Sequence, residues 1–228
     1  MKEQEGVIKF RAQHQAQALD GERFGALGAR LTAWREILSQ LGIVGQDPGR
    51  YEGAGFGNVS ARVGPFPGEP GRRGFLITGT QTGAVRCMRL EHYCVVERYS
   101  LEENRVESFG SALPSSESMT HGAIYDLCPS IRYVLHAHCP VIWRQAKALR
   151  LPETGKDVPY GTVEMAREVR RLYRTTNLAE GRMFSMAGHE DGVVVFGKTA
   201  DEAGEVLIRG LARAYEAVCQ ARGGLCER

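Results

Sequence analysis

Ile131-Arg132-Tyr133-Val134-Leu135-His136-Ala137-His138 is the stretch on which the reading of this chain turns. Its β-branched, aromatic and aliphatic residues favour a strand. Side chains along a strand alternate between its two faces, so His136 and His138 point the same way. Two imidazoles at that spacing can share one metal ion, although such a pair taken alone is more often ordinary core or surface histidine. A third ligand must come from elsewhere in the fold. The best candidate is His189, in the turn Ala187-Gly188-His189-Glu190-Asp191-Gly192 between two apolar stretches. Three histidines leave a coordination position open, which a catalytic site needs and a purely structural zinc site does not.

Upstream, Pro114-Ser115-Ser116 precedes a helix expected to carry Met119, Ala123, Ile124 and Leu127 inward. Glu117 opens that helix. It reads either as a first-turn glutamate favoured by the helix dipole or as a general acid/base held near bound substrate. Ser115 and Ser116 read either as caps or as phosphate ligands, because hydroxyls and free N–H groups converge at a helix start. His121 stands one turn after Glu117 on the same face and is expected to be a hydrogen-bonding structural histidine.

Further out, Phe24, Leu27, Leu31, Trp34, Leu38 and Leu41 recur in steps of three and four, one face of a helix that Gly42 should stop. Asn58 to Arg62 and Phe75 to Thr78 are strand candidates, separated by a Pro-, Gly- and Arg-rich loop (Pro65 to Gly74). The second strand runs into a polar turn, Gly79 to Gly83. Tyr93 to Ser100 and Arg105 to Phe109 read as paired strands. Pro140 to Leu149 and Val163 to Tyr173 read as helices, and Met183 to Ala187 and Val193 to Phe196 as strands. A last helix should span Thr199 to Ala221. This order predicts an α/β fold, a single domain with a central mixed, mainly antiparallel sheet flanked by helices. Residues 1–21 show no period and are expected to be a mobile arm or an added helix, with the domain proper over 22–228.

With 228 residues the chain can bury one sizeable core. Basic residues exceed acidic ones by two (29 against 27) without forming a block. That balance argues against nucleic-acid and membrane-surface partners. No apolar run approaches the roughly 20 residues of a membrane helix. Without an export signal, six cysteines outside any C-x-x-C unit read as reduced thiols in a cytoplasmic protein.

Taken together, Gly57-Asn58-Val59-Ser60-Ala61-Arg62, Leu76-Ile77-Thr78-Gly79-Thr80, Pro114-Ser115-Ser116-Glu117, His136-Ala137-His138, Tyr160-Gly161-Thr162 and the His189 turn give the chain its resemblance. From about Phe24 to Val218 it resembles the class II aldolase/adducin family. The resemblance implies a three-layer fold, a homotetramer with active sites at subunit interfaces, and a sugar-phosphate substrate. It implies that His136, His138 and His189 bind zinc, or another divalent metal such as Mn2+ or Co2+, and that Glu117 is the catalytic carboxylate. Asn58, Ser115 and Ser116 match phosphate-binding positions, and either Thr80-Gln81 or Thr82-Gly83 of the polar turn fills the place of the family's phosphate loop. The implied reaction is carbon–carbon cleavage of a small ketose phosphate through a metal-stabilised enediolate. A dehydratase, decarboxylase or epimerase would use the same site, and an adducin-like interaction module would use none.

Three departures bear on the reaction. The phosphate loop reads Thr78-Gly79-Thr80-Gln81-Thr82-Gly83, where the sugar-phosphate aldolases have a Thr-Pro-Ser/Thr-Gly pattern. The stretch from Cys139 to Pro159 is shorter than in fuculose-phosphate aldolases and lacks their proton-donating tyrosine, leaving Tyr125, Tyr160 and Tyr173. The His-Gly turn is expanded by Glu190 and Asp191, which are expected to face solvent as turn formers, or else to add a ligand or meet a cationic substrate group.

Overall fold

The structure, a computed structural model, describes residues 6–221. In chain order it contains strand β1 (Arg11–Ala16), helix α1 (Gly21–Gln40), and strands β2 (Gly45–Gln46), β3 (Gly55–Phe56), β4 (Asn58–Arg62), β5 (Phe75–Thr78), β6 (Tyr93–Ser100) and β7 (Arg105–Gly110). Helix α2 (Ser118–Leu127), strand β8 (Tyr133–His138), and helices α3 (Pro140–Arg144), α4 (Val163–Thr175) and α5 (Leu178–Gly181) follow. Strands β9 (Met183–Ser185) and β10 (Gly192–Gly197) and helix α6 (Ala200–Ala221) complete it. Among the described residues, no helix is long and apolar enough to cross a membrane.

Eight strands form one sheet in the order β1-β7-β6-β5-β4-β8-β10-β9. Neighbours are antiparallel except β1 with β7, which are parallel. The sheet is therefore mixed and mainly antiparallel, as the strand pattern predicts. Alternation sets its layers. Leu135, Ala137, Val193 and Val195 pack in one core with Leu31, Leu38, Ile142 and Leu207 from α1, α3 and α6. Val134, Val194, Ile77 and Val96 pack in the other with Met119, Ile124, Met165 and Val169 from α2 and α4. His136 and His138 continue the parity of Val134, so they lie on the α2/α4 side. There β8 runs between β4 and β10, with His136 opposite Asn58 and Val194, and His138 opposite Gly192.

Three expectations need correction. Arg11–Ala16 is an edge strand, not a helix or a loose arm; residues 1–5 of the expected arm, like Cys226, lie outside the described residues. Its sequence, RAQHQA, has no β-branched residue and is almost wholly exposed, so burial leaves no pattern to read. Backbone pairing holds it, helped by His14, whose ring nitrogens lie 3.0 Å from Ser108 Oγ and 3.1 Å from Gly110 O. The helix expected over Pro140 to Leu149 stops at Arg144, and the turns after it still bury Leu149. On α1, Leu41 is 45% exposed because it is the C-cap, beyond the last turn. Gly42, at φ +67°, ends the helix as its sequence predicts.

Candidate metal centre and anion pocket

The ends of β8 and of the Met186–Gly192 turn bring three imidazoles together. His138 Nε2 lies 3.2 Å from His136 Nε2 and 3.0 Å from His189 Nε2, and one ligand atom from each ring falls within 4.8 Å of the others. A tetrahedral zinc with Zn–N bonds of about 2.0–2.1 Å separates its nitrogen ligands by about 3.3 Å, so the donor set fits a divalent ion. His136 Nδ1 lies 3.2 Å from the Val193 carbonyl. That contact places the ring proton on Nδ1 and leaves the Nε2 lone pair facing its neighbours. All three rings are buried. Burial pushes His136 down to about 4 and holds His138 and His189 well below the usual histidine range, with mutual repulsion adding to the shift of the last two. Neutral imidazoles are the form a metal needs.

The same burial sets a pH dependence. Between about pH 7 and about pH 5 an unfolded chain takes up protons at these histidines that the folded, metal-free chain refuses. Stability is therefore complete above the ordinary histidine range and is lost as the pH falls. His136 alone accounts for roughly 2 kcal/mol of the loss at about pH 5. Urea unfolding of chelator-treated protein should show this decline, and a flat profile would contradict the buried cluster.

The His189 turn is tight. His189 N–H donates to Met186 O, Gly192 N–H to His189 O and Met186 N–H to Gly192 O. A Cβ on Gly192 would stand 2.6 Å from His189 Cδ2, and one on Gly188 2.6 Å from Val158 O; both positions need glycine because neighbours press on them. Glu190 is exposed, as a turn former should be. Asp191 is not: it is 7% exposed and in the left-handed region at φ +64°. Its carboxylate accepts a 2.7 Å bond from Tyr51 Oη.

Beside the histidines, Asn58, Thr80, Thr82, Gly83, Ser115 and Ser116 line one small polar pocket, with Gly6 at its rim. Asn58 Oδ1 is buried with no hydrogen-bond partner among the described residues. Ser115 Oγ accepts the Glu117 N–H at 3.3 Å in the turn ahead of α2, whose N-cap is Glu117 without a side-chain cap bond, so Ser115 lines the pocket without capping the helix. Glu117 is 1% exposed at the start of α2. His121, one turn on, bonds through Nδ1 to Ser60 Oγ at 2.6 Å, and that hydroxyl also meets Tyr125 Oη at 2.7 Å. His121 thus makes the expected hydrogen bond through Nδ1, while its Nε2 is buried with no hydrogen-bond partner among the described residues. The Tyr160-Gly161 turn links both halves of the site: the Tyr160 ring lies 4.6 Å from that of His189, and Gly161, at φ +65°, sits against Ser116 O.

Sequence reasoning missed two supports. Arg35, on α1 and only 3% exposed, donates to the carbonyls of Thr82, Gly83 and Val85 at 2.9–3.1 Å. It braces the far side of the pocket loop, and its one signal was a charge at a core position of an apolar face. Arg50 and Tyr51 flank His138 from a glycine-rich segment that has no period to read. The Tyr51 ring centroid lies 4.7 Å from that of His138.

The family model described as the class II aldolase and adducin N-terminal domain matches residues 49–212. A search of curated proteins finds no match. Among solved structures, YgbL from Klebsiella pneumoniae, whose description leaves aldolase, epimerase and decarboxylase open, is 17% identical with TM-score 0.63, covering 88% of this chain and 92% of its own. The sugar-phosphate aldolase of Thermotoga maritima is 18% identical with TM-score 0.62, covering 89% and 98%. The L-fuculose-1-phosphate aldolase of Thermus thermophilus is 19% identical with TM-score 0.59, covering 89% and 100%. At these identities the likeness is one of fold, and the family match spans the pocket, α2 and all three histidines: the chain belongs to the class II aldolase and adducin N-terminal domain family.

Proposed function

We propose that this protein is a metal-dependent carbon–carbon lyase acting on a small ketose phosphate or related hydroxy-carbonyl compound. One observation carries the reading: three Nε2 atoms converge at the end of β8, next to a polar pocket that shares the Asn58–His136 register. His136, His138 and His189 hold the ion, taken as zinc or else Mn2+ or Co2+. A cation there supplies Lewis-acid stabilisation of the negative charge that develops beside a carbonyl.

The chain's own residues do the rest. Asn58, Ser115 and Ser116 grip the phosphate with their side chains, while Thr80, Thr82 and Gly83 shape the loop around it. Anchoring the phosphate fixes the reacting carbon against Glu117. Glu117 removes or returns the proton at that carbon. Its burial excludes bulk water from the transfer. The reading includes a homotetramer in the cytoplasm, and the free thiols Cys87, Cys94, Cys128, Cys139 and Cys219 are compatible with that compartment.

A second reading within the same chemistry has one observation in its favour. Tyr125 Oη is tied to Ser60 in the core, and Tyr173 lies beside Cys128, away from the histidines. Neither is placed to protonate a departing aldehyde. Of Tyr125, Tyr160 and Tyr173, only Tyr160, its ring 4.6 Å from that of His189, lies against the histidine cluster, with its hydroxyl accepting the Val7 N–H at 3.0 Å. Dehydration, decarboxylation or epimerisation releases no aldehyde to protonate. Metal analysis followed by a screen of ketose phosphates and their unphosphorylated counterparts separates the cases. The lyase predicts aldehyde release that a chelator abolishes. Turnover without aldehyde would favour the second reading, and protein that binds no metal would favour an adducin-like module.

A further inference from the structure

Tyr51 and Glu52 lie in the left-handed region at φ 49° and 57°, followed by Gly53 at 79°. Two consecutive side-chain-bearing residues there cost roughly 1–2 kcal/mol each. Surrounding contacts have to hold such a conformation, and here they do so against the histidine cluster. The turn lays the Tyr51 ring edge-on to His138, and Phe56 packs on the same ring at 5.6 Å. Tyr51 Oη donates to Asp191 Oδ2 at 2.7 Å and accepts from Arg50 Nη2 at 2.7 Å. Arg50 Nη2 also donates to the His138 carbonyl at 3.1 Å, and Nη1 to Gly42 O at 2.7 Å. Asp191 closes the circuit: its carboxylate lies 3.9 Å from Arg50, and its backbone carbonyl accepts the Cys139 N–H at 2.8 Å.

His138 and His189 come from separate elements, the end of a strand and a turn 51 residues further on. The Tyr51–Asp191–Arg50 circuit ties one to the other. We infer that Asp191, acting through Tyr51 and Arg50, is a positioning residue that sets the separation of the His138 and His189 nitrogens and so the affinity and geometry of the metal site. The inference rests on reading the three histidines as a metal centre. None of the three residues needs to touch the ion; they fix the backbone and ring planes from which two of its ligands project.

The test uses the full-length protein with Co2+ and Zn2+. Asp191→Ala and Tyr51→Phe should each weaken metal affinity by about 10- to 100-fold, the usual effect of losing a partner that orients a ligand. Because both act on one circuit, the double variant should be no weaker than the weaker single variant. The visible absorption of the Co2+ form should shift in both, and Asp191→Asn, which keeps an acceptor for Tyr51, should recover part of the affinity. Affinity within about twofold of the unsubstituted protein in Asp191→Ala and Tyr51→Phe, with an unchanged Co2+ spectrum, would overturn the assignment even if melting temperature fell. Tyr51→Phe removes a single oxygen and keeps the test available should Asp191→Ala not fold. Unsubstituted protein that bound neither ion would sink the metal reading itself, together with this inference.

Discussion

Under the proposed function, His138→Ala protein should lose its metal. Of the three imidazoles, His138 is central, with its Nε2 within 3.2 Å of both others. Removing it leaves His136 and His189 as two ligands on separate elements, with no nitrogen between them. If zinc binding at a protein site is worth roughly 10–16 kcal/mol, one ligand of three carries about 3–5 kcal/mol. The expected loss of affinity is then on the order of a thousandfold. Competition against a chromogenic chelator measures it directly. The metal-free variant should still fold, because the sheet order and both cores do not depend on that ring. Far-UV circular dichroism checks this. A variant that kept stoichiometric ion at the original affinity would show that the three histidines are only a packed polar cluster.

The central sheet is readable because burial writes it into the sequence. Val193–Phe196 and Phe75–Thr78 are covered on both sides and appear as continuous apolar runs, and Tyr93–Ser100 with Arg105–Gly110 are joined by a plain turn. The edge strand β1 is invisible for the converse reason. It buries almost nothing, so its partner is chosen by backbone hydrogen bonding, which side-chain periodicity does not record. The Pro140 helix is overdrawn by its pattern because Leu149 keeps a helical spacing that the chain satisfies with turns.

At the site, two histidines two residues apart on a strand share a face by geometry alone. That His189 joins them depends on a fold that brings β10 beside β8, which spacing does not encode; the family resemblance supplies it. What neither route gives is the supporting structure. Arg35, Arg50 and Tyr51 act through backbone carbonyls and one carboxylate far away in sequence. Such partners are fixed by loop conformation, including a left-handed residue at Tyr51 that no propensity favours and another at Asp191, which turn propensity allows but does not bury. Asp191 is the clearest case: its place in a polar turn predicts a solvent-facing residue, yet it is buried because the turn carries it under Tyr51.

Glu117→Gln should separate chemistry from assembly. Glutamine matches the shape of glutamate, so the position at the start of α2, 1% exposed, is refilled without a cavity. The Ser115 hydroxyl still accepts the backbone N–H of residue 117, and the metal ligands are untouched. Under the proposed function, metal content and anion affinity stay as they were. Turnover falls by about 100- to 10,000-fold, the range that a positioned proton-transfer group contributes. Glu117→Asp keeps the charge but draws it back by one methylene; a misplacement of about 1 Å already costs on the order of a hundredfold, so this variant should lie between the two. The ordering matters more than either value. If glutamine and aspartate variants both turned over like the unsubstituted protein, Glu117 would be a helix-start carboxylate buried for packing, and the proton would have to be moved by another group in the site. If instead both lost metal, its charge would belong to the ion's surroundings and not to the substrate's.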